Sequence, residues 1–423
     1  MKTLTAIFTA TKYWPDLAEI NETYEILKRS FQSDAVVGIT NGDFSEAEKY
    51  FDYDAVIIVP ISGSVQPDIV KLCEHFDKIT IFTSYVSGNF SQEMTDKILY
   101  RNAAPTCMDT YAVLKRNTSK TVALKKTFDD LNRYLKVLEA SEKVHHGKIV
   151  MVKGPEPWVI SVSRNFEDYK KQLGIEVQLI TQEEIIHEYE RTTFMEASKI
   201  YEYFKNGASE IVEPTDETIR KCARMTCALV KTIQKYQADG MALACFDLIT
   251  RSGVNPCLGV SYVNGETPWF ITCEGDIDSA VTMLMVRALT DEKPWMANPN
   301  LQKDDTINFA HCTAPINLGG KMNKFILRSH HETGIGCSPE VIYDTGKTMS
   351  LFRYSGAMHK LSINRGVSVP GRYEPTCRTQ VRIKLQDMNH YLDTDIGCHQ
   401  VMIFTDTTKE MTELCDLIKI PVI

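Results

Sequence analysis

The sequence has no apolar run approaching the ~18–20 residues of a membrane-spanning helix. Its richest stretches, residues 54–61 and 280–289, have strand or helix length. No excess of basic side chains exists either: 47 Lys and Arg stand against 55 Asp and Glu, a net charge of −8. A surface built to neutralise nucleic-acid phosphates is therefore not the chain's main feature, and neither nucleic acid nor membrane is expected as a partner. None of the 12 cysteines falls in a CxxC pair, and a chain of this size does not need disulfide staples. They read as reduced, buried packing residues of a cytoplasmic protein, and several, such as Cys245, Cys273 and Cys312, sit in apolar strand-like segments. A cysteine zinc site is the less favoured alternative.

Other motifs are missing. No histidine pair has HExxH spacing, which excludes a helical zincin site. Gly334-Ile335-Gly336 has Pro339 where a dinucleotide fingerprint needs Gly, and Gly319-Gly320-Lys321 lacks P-loop spacing, so NAD and ATP roles are disfavoured. No internal repeat has a fixed period. The first residues lack the long apolar core and small-residue cleavage site of a signal peptide and read as a β-strand.

What is present is an ordinary globular mixture: 423 residues, 43% apolar and 24% charged. At roughly 100–200 residues per domain this length implies several domains. Short apolar runs at 4–9, 35–40, 55–60 and 78–83 alternate with helical patterns at 17–31 and 67–76, and a basic helix is read over 122–140. This is the pattern of a doubly wound parallel sheet over 1–145. A second α/β domain is read over 146–304, with strands at 148–152, 176–180, 241–246 and 268–273. Its long helix begins at Thr215, a plausible N-cap. From 305 to 423 strand-like runs alternate with turn signals, which predicts an antiparallel β-rich, barrel-like domain closed by a helix at 408–417. The predicted fold class is thus α/β: two doubly wound parallel-sheet domains followed by a β-rich one.

The strongest local signal is Cys273-Glu274-Gly275-Asp276-Ile277-Asp278, which follows an apolar strand and opens a helix. In open α/β sheets the ligand crevice lies at the carboxyl ends of the strands, so these acids are a candidate cation site. Helix capping is the competing reading. Asp247 ends the strand at 241–246; if that strand neighbours 268–273, Asp247 and Asp276 emerge on one edge, where paired carboxylates can bind a hard cation or move protons. An Asp that merely starts a turn is the alternative. Asp278 reads as a helix-start residue. Histidines concentrate late in the chain, at 311, 330, 331, 359, 390 and 399.

Several of these segments resemble the sugar isomerases of the L-fucose isomerase and L-arabinose isomerase-like family. Cys273-Glu274-Gly275-Asp276 followed by Thr282-Met283-Leu284 is similar to the family's acidic strand-to-helix segment. Phe309-Ala310-His311-Cys312-Thr313-Ala314-Pro315 is similar to its central histidine motif. Ser329-His330-His331-Glu332-Thr333-Gly334, Cys377-Arg378-Thr379-Gln380 and Gly397-Cys398-His399-Gln400 resemble segments of its C-terminal domain, the last with Gln400 where family members have a second His. The resemblance spans about 240 to 423.

It implies a divalent metal, Mn²⁺ with Mg²⁺ or Co²⁺ as alternatives, held by two carboxylates and a histidine. The matching residues are Asp276 and His399, with Asp247 or Glu274 completing the set. Typical members place a Glu at or beside position 247, where it also serves as the proton-transferring base, so Asp247 and Asp276 become the catalytic candidates. His311, His331, Glu332 and Arg378 fall to sugar binding. The implied activity is metal-dependent aldose–ketose isomerisation of a sugar or modified sugar through a metal-stabilised enediolate, in a cytoplasmic homo-oligomer built as a trimer or hexamer. An aldolase or epimerase using the same metal, and a non-catalytic sugar-binding protein, are the alternatives.

Overall fold

The computed structural model describes residues 1–423, which form two compact units, Met1–Lys136 and Val137–Ile423. The first holds β1 (Thr3–Thr9), α1 (Leu17–Ser30), β2 (Ala35–Thr40), β3 (Ala55–Pro60), α2 (Gln66–Cys73), β4 (Lys78–Phe82), α3 (Gln92–Tyr100), α4 (Ala103–Leu114) and β5 (Thr121–Lys125). The strands form one parallel sheet in the order β2-β1-β3-β4-β5. β1 and β3 are buried along their whole lengths, as expected of central strands with helices on both faces. The winding reverses between β1 and β3. There the Ser62 hydroxyl accepts the Ala10 N–H at 2.8 Å, and the Gly63 N–H donates to the Arg101 carbonyl at 2.6 Å. That loop spends its polar groups on the fold.

Residues 122–140 differ from the sequence expectation, because they are not one helix. Thr121–Lys125 adds a fifth strand beside β4, and α5 begins only at Phe128, running to His145. The β-branched and apolar run Thr-Val-Ala-Leu finds a parallel partner, and strand pairing overrides a mild helical pattern.

The second unit begins with β6 (Lys148–Val152), α6 (Glu167–Leu173), β7 (Glu176–Ile180), α7 (Gln182–Arg191), α8 (Phe194–Gly207), β8 (Glu210–Ile211), α9 (Asp216–Lys235), β9 (Gly240–Leu243), α10 (Phe246–Ser252), α11 (Cys257–Glu266), β10 (Phe270–Thr272) and α12 (Ile277–Leu289). It continues with β11 (Trp295–Leu301), β12 (Ile307–His311), β13 (Lys324–Arg328), β14 (Ser338–Ile342), β15 (Thr348–Ser355), β16 (Lys360–Val369), β17 (Thr379–Leu385), α13 (Met388–Asp393), β18 (Gln400–Ile403) and α14 (Thr408–Leu417).

A parallel sheet runs β10-β9-β6-β7, and six antiparallel strands close a barrel in the order β11-β12-β17-β16-β15-β18. A small sheet, β14-β13-β8, pairs β8 with β13. Thr215 caps α9, accepting the Thr218 N–H at 3.2 Å. α7 and α8 each open with a Thr–Glu capping box. No helix is long and apolar enough to cross a membrane.

The sheet and the barrel share one continuous apolar core. α12 lies in it, packed on β9 and β10 of the sheet and on β15 and β18 of the barrel. That is why every residue from Ile277 to Val286 is buried and why the helix is apolar nearly all round. β9 ends earlier than the sequence pattern suggests: after Leu243 the chain turns into α10, so Asp247 sits in a helical first turn rather than at a strand end.

The register of β9 and β10 fixes how closely the two strands approach. Gly240 faces Phe270 across the pair, and a Cβ at 240 would lie 2.3 Å from the Phe270 ring. Gly240→Ala must displace that ring from a close-packed core, at about 1–3 kcal/mol. Equilibrium denaturation should show that loss, and the added change Phe270→Leu should recover most of it. A Gly240→Ala protein as stable as the parent would contradict this packing.

Candidate metal centre

β10 delivers Glu274 to the end of the sheet. Glu274 and Gly275 both take left-handed backbone angles, φ +58° and +65°. Only glycine fits at 275, because a Cβ there would stand 2.5 Å from the Gly154 carbonyl oxygen. A non-glycine residue held in this region is strained, and Glu274 is held by both backbone and side chain. Its carbonyl accepts the Glu156 N–H at 3.0 Å, and the next N–H, of Gly275, donates to Leu243 at 2.9 Å. The Trp158 indole N–H donates to Glu274 Oε2 at 2.7 Å. Glu274 Oε1 is left facing two imidazoles, 3.7 Å from His311 Nε2 and 3.4 Å from His399 Nε2.

Both imidazoles are buried and oriented from behind. His311, at the end of β12, makes an Nδ1 contact of 2.7 Å with the Thr313 hydroxyl. His399, immediately before β18, has Nδ1 2.8 Å from Asp276 Oδ2. An ionised carboxylate at that distance keeps the proton on Nδ1 and turns the Nε2 lone pair toward Glu274 and His311. His399 Nε2 is buried and makes no hydrogen bond, with Glu274 Oε1 as its charged neighbour. Buried polar atoms are normally satisfied, so this nitrogen is open to a further ligand that takes the place of a proton.

One ligand atom each from Glu274, His311 and His399 lies within 4.8 Å of the others, a group able to hold a metal ion. Burial opposes charge on Glu274, but the two histidines hold it well below the usual carboxylate range. Burial likewise opposes charge on His399, but Asp276 and Glu274 raise it to about 9. The centre is built for positive charge.

Behind it lies a buried charge network. Arg353 on β15 donates from Nη1 to Asp276 Oδ2 at 2.7 Å and to the Ser279 hydroxyl at 2.8 Å. Asp276 Oδ1 caps α12 by accepting the Ser279 N–H at 2.8 Å. Asp278 Oδ1 accepts from the Tyr169 hydroxyl at 2.6 Å and the Gly356 N–H at 2.9 Å, and its Oδ2 is 3.9 Å from Arg353 Nη2. Asp278 is therefore not simply a helix-start residue: Asp276 is the cap and Asp278 is wholly buried. Burial opposes ionisation of Asp276, yet Arg353 and His399 keep it ionised. Burial pushes Asp278 up to about 6, against the pull of Arg353.

The remaining sequence candidates are scattered. Asp247 is half-exposed and ion-paired with Lys153. Glu332 Oε2 lies 3.0 Å from His330 Nε2, and its other oxygen faces Cys377. Arg378 braces the neighbouring loop through the Ser329 carbonyl at 2.8 Å, and His331 beside it is partly buried. Reading the sequence did not single out Glu156, Lys153, Trp158 or Arg353. Glu156 is buried, its Oε1 accepts the Phe246 N–H at 3.0 Å, and Lys153 Nζ is 3.9 Å from its Oε2. Burial raises its pKa, opposed by the Phe246 N–H and Lys153. It follows Gly154-Pro155 directly after β6, so the strand-end rule that selected Glu274 applies to it as well.

No family model matches the chain. A protein named sulfoquinovose isomerase from Priestia aryabhattai is 23% identical over 303 residues, 67% of this chain and 66% of that protein. One of the same name from Priestia megaterium (strain ATCC 12872 / QMB1551) matches to the same extent. A third, from Alkalicoccus urumqiensis, is 24% identical over 223 residues, 49% of each chain. The chain thus spans 66% of the length of the first two curated relatives it matches.

The network makes a stability test. Arg353→Met removes the guanidinium that two buried carboxylates share, which costs about 3–5 kcal/mol. Asp276 keeps His399, but Asp278, already pushed up to about 6 by burial, loses the cation that opposes that shift, so the native state binds an extra proton there and the loss shrinks as pH falls toward 4. Denaturant melts of parent and variant across pH 4–7 check both magnitude and sign; a loss that grows on acidification would refute the assignment.

Proposed function

We propose that the chain is a cation-dependent aldose–ketose isomerase acting on a modified sugar of the sulfoquinovose type. Glu274, His311 and His399 hold the cation. The observation that carries this reading is the unpartnered, buried His399 Nε2, aimed at Glu274 and His311 and held by Asp276. One carboxylate and two imidazoles suit a borderline divalent cation such as Mn²⁺ or Co²⁺ better than Mg²⁺, which prefers oxygen donors. The relatives' name supports the substrate class. When bound, such a cation supplies a Lewis acid at the substrate carbonyl, which eases loss of the neighbouring proton.

The chain's own residues do the rest. Asp276 is a positioning residue: it keeps the Nδ1 proton of His399 in place. Trp158 fixes Glu274 Oε2, leaving Oε1 for the site. Glu156 moves the substrate proton. Its Oε1 is occupied by the Phe246 N–H, so Oε2 accepts the proton from one carbon and returns it to the next. Burial raises its pKa toward the range where a carboxylate works as a base near neutral pH. Lys153, shared with Asp247, stands 3.9 Å from that oxygen and keeps it ionised between turnovers.

The test is conversion of sulfoquinovose to its 2-ketose isomer, followed by NMR, with Mn²⁺ and after chelation. Conversion should require the cation. Glu274→Gln and His399→Ala should lose cation binding in calorimetric titration, and Asp276→Asn should weaken it by roughly 10–100-fold. Glu156→Gln should keep cation binding but lose about 10²–10⁴ in kcat. Unchanged kcat in Glu156→Gln would remove it as the base; unchanged cation affinity in Glu274→Gln would remove the centre.

A further inference from the structure

A second donor group begins one residue beyond the first and shares no side chain with it. We infer that Cys312, Cys377 and Glu332 form a separate thiolate metal site of the zinc type. The two thiols and one carboxylate oxygen offer ligand atoms within 4.8 Å of one another. Topology brings them together. β12 and β17 pair antiparallel with His311 opposite Thr379, so Cys312, one residue beyond β12, and Cys377, two before β17, meet at the same end of the barrel. Glu332 reaches them from the loop between β13 and β14.

The carboxylate is aimed. His330 Nδ1 is 3.0 Å from the Thr333 hydroxyl, and His330 Nε2 is 3.0 Å from Glu332 Oε2. Glu332 Oε1 is thereby turned to the thiols, 3.6 Å from Cys377 Sγ. An imidazole that fixes a ligating carboxylate is the usual outer support of a metal site. Both cysteines are buried and free, in a small cluster with Cys257 and Ala310. Packing alone explains two apolar thiols; it does not explain an acid braced against them.

Glu332 itself is 42% exposed, so the group opens to solvent on one side. An ion can reach it, and a water can complete the tetrahedron that zinc prefers. Two thiolates select zinc over manganese or magnesium, so the donor set differs in kind from Glu274, His311 and His399. Binding releases the two thiol protons to solvent and ties the β13–β14 loop to the ends of two barrel strands.

The test uses the full chain isolated without chelator. Elemental analysis should find a single zinc per chain, released by an organomercurial thiol reagent. Stripped protein titrated with Co²⁺ should develop thiolate-to-cobalt charge-transfer absorption. Cys377→Ser should abolish that absorption, and His330→Ala, which keeps all three ligands, should weaken cobalt binding by roughly 10–100-fold. His399→Ala should leave it intact, so failure of the isomerase reading and failure of this one are separable. Absence of zinc together with absence of the cobalt band, a band that survives Cys377→Ser, or a Cys312–Cys377 disulfide in the isolated protein would each overturn the site.

Discussion

The Asp276 carboxylate is the contact on which this structure turns. A buried charge is tolerated only when it is paired and hydrogen-bonded, and Asp276 meets that demand with three partners from three parts of the chain. The Ser279 N–H belongs to the first turn of α12, Arg353 to β15, and His399 to the residue before β18. β15 and β18 are neighbours in the barrel, so one carboxylate fixes the helix between sheet and barrel and the two strands that close over it. Satisfying Asp276 also decides which way His399 faces. The site's geometry and the packing of α12 therefore depend on the same set of bonds, and loosening one loosens the other.

The sheet supplies the opposite wall by similar stitching. β6, β9 and β10 are adjacent, and the loops that leave their carboxyl ends are bonded to one another. Gly275 donates to Leu243, Glu156 donates to Glu274, and Phe246 donates to the Glu156 side chain. The crevice beyond parallel strand ends is a general property of such sheets. Here close backbone approach, which requires Gly275, rigidifies it. Glu274 keeps its left-handed conformation because neighbours on both sides over-determine it, and strain of that kind persists only where surrounding structure holds it.

Much of this was legible in the chain. Alternating short apolar runs and amphipathic helices announced the parallel sheets, strand-like runs separated by turn signals announced the barrel, and the strand-end rule led to the segment 273–278. What the pattern could not rank was three acids two residues apart. Which one faces the open centre depends on Arg353, 77 residues beyond Asp276, and no local periodicity encodes that partner. A charged residue inside the otherwise apolar Leu-Phe-Arg-Tyr run of β15 was the available clue, since a buried arginine implies a buried acid. β11 escapes the sequence pattern because Asn and Pro interrupt it; Pro299 is tolerated because it pairs with β12 alone, beyond the stretch paired with β18. The sequence pattern carries β9 on to residue 246, past its end at Leu243, because Ala-Cys-Phe continues the apolar run, while the turn is held by the Phe246 N–H bond to Glu156.

The end of β12 holds two kinds of donor side by side. His311 is the last residue of β12 and Cys312 opens the turn that follows, and the two side chains serve different neighbours. On one side imidazole joins a carboxylate and a second imidazole; on the other a thiol joins a thiol and a carboxylate. Affinity alone would let zinc displace manganese from most nitrogen and oxygen sites, because zinc stands above it in the general order of divalent metals. Two donor sets of different softness therefore meet at one strand end, and a second site does not change the free ion that the first one meets, so ligand type sets what each group prefers while metal supply sets what the first would hold.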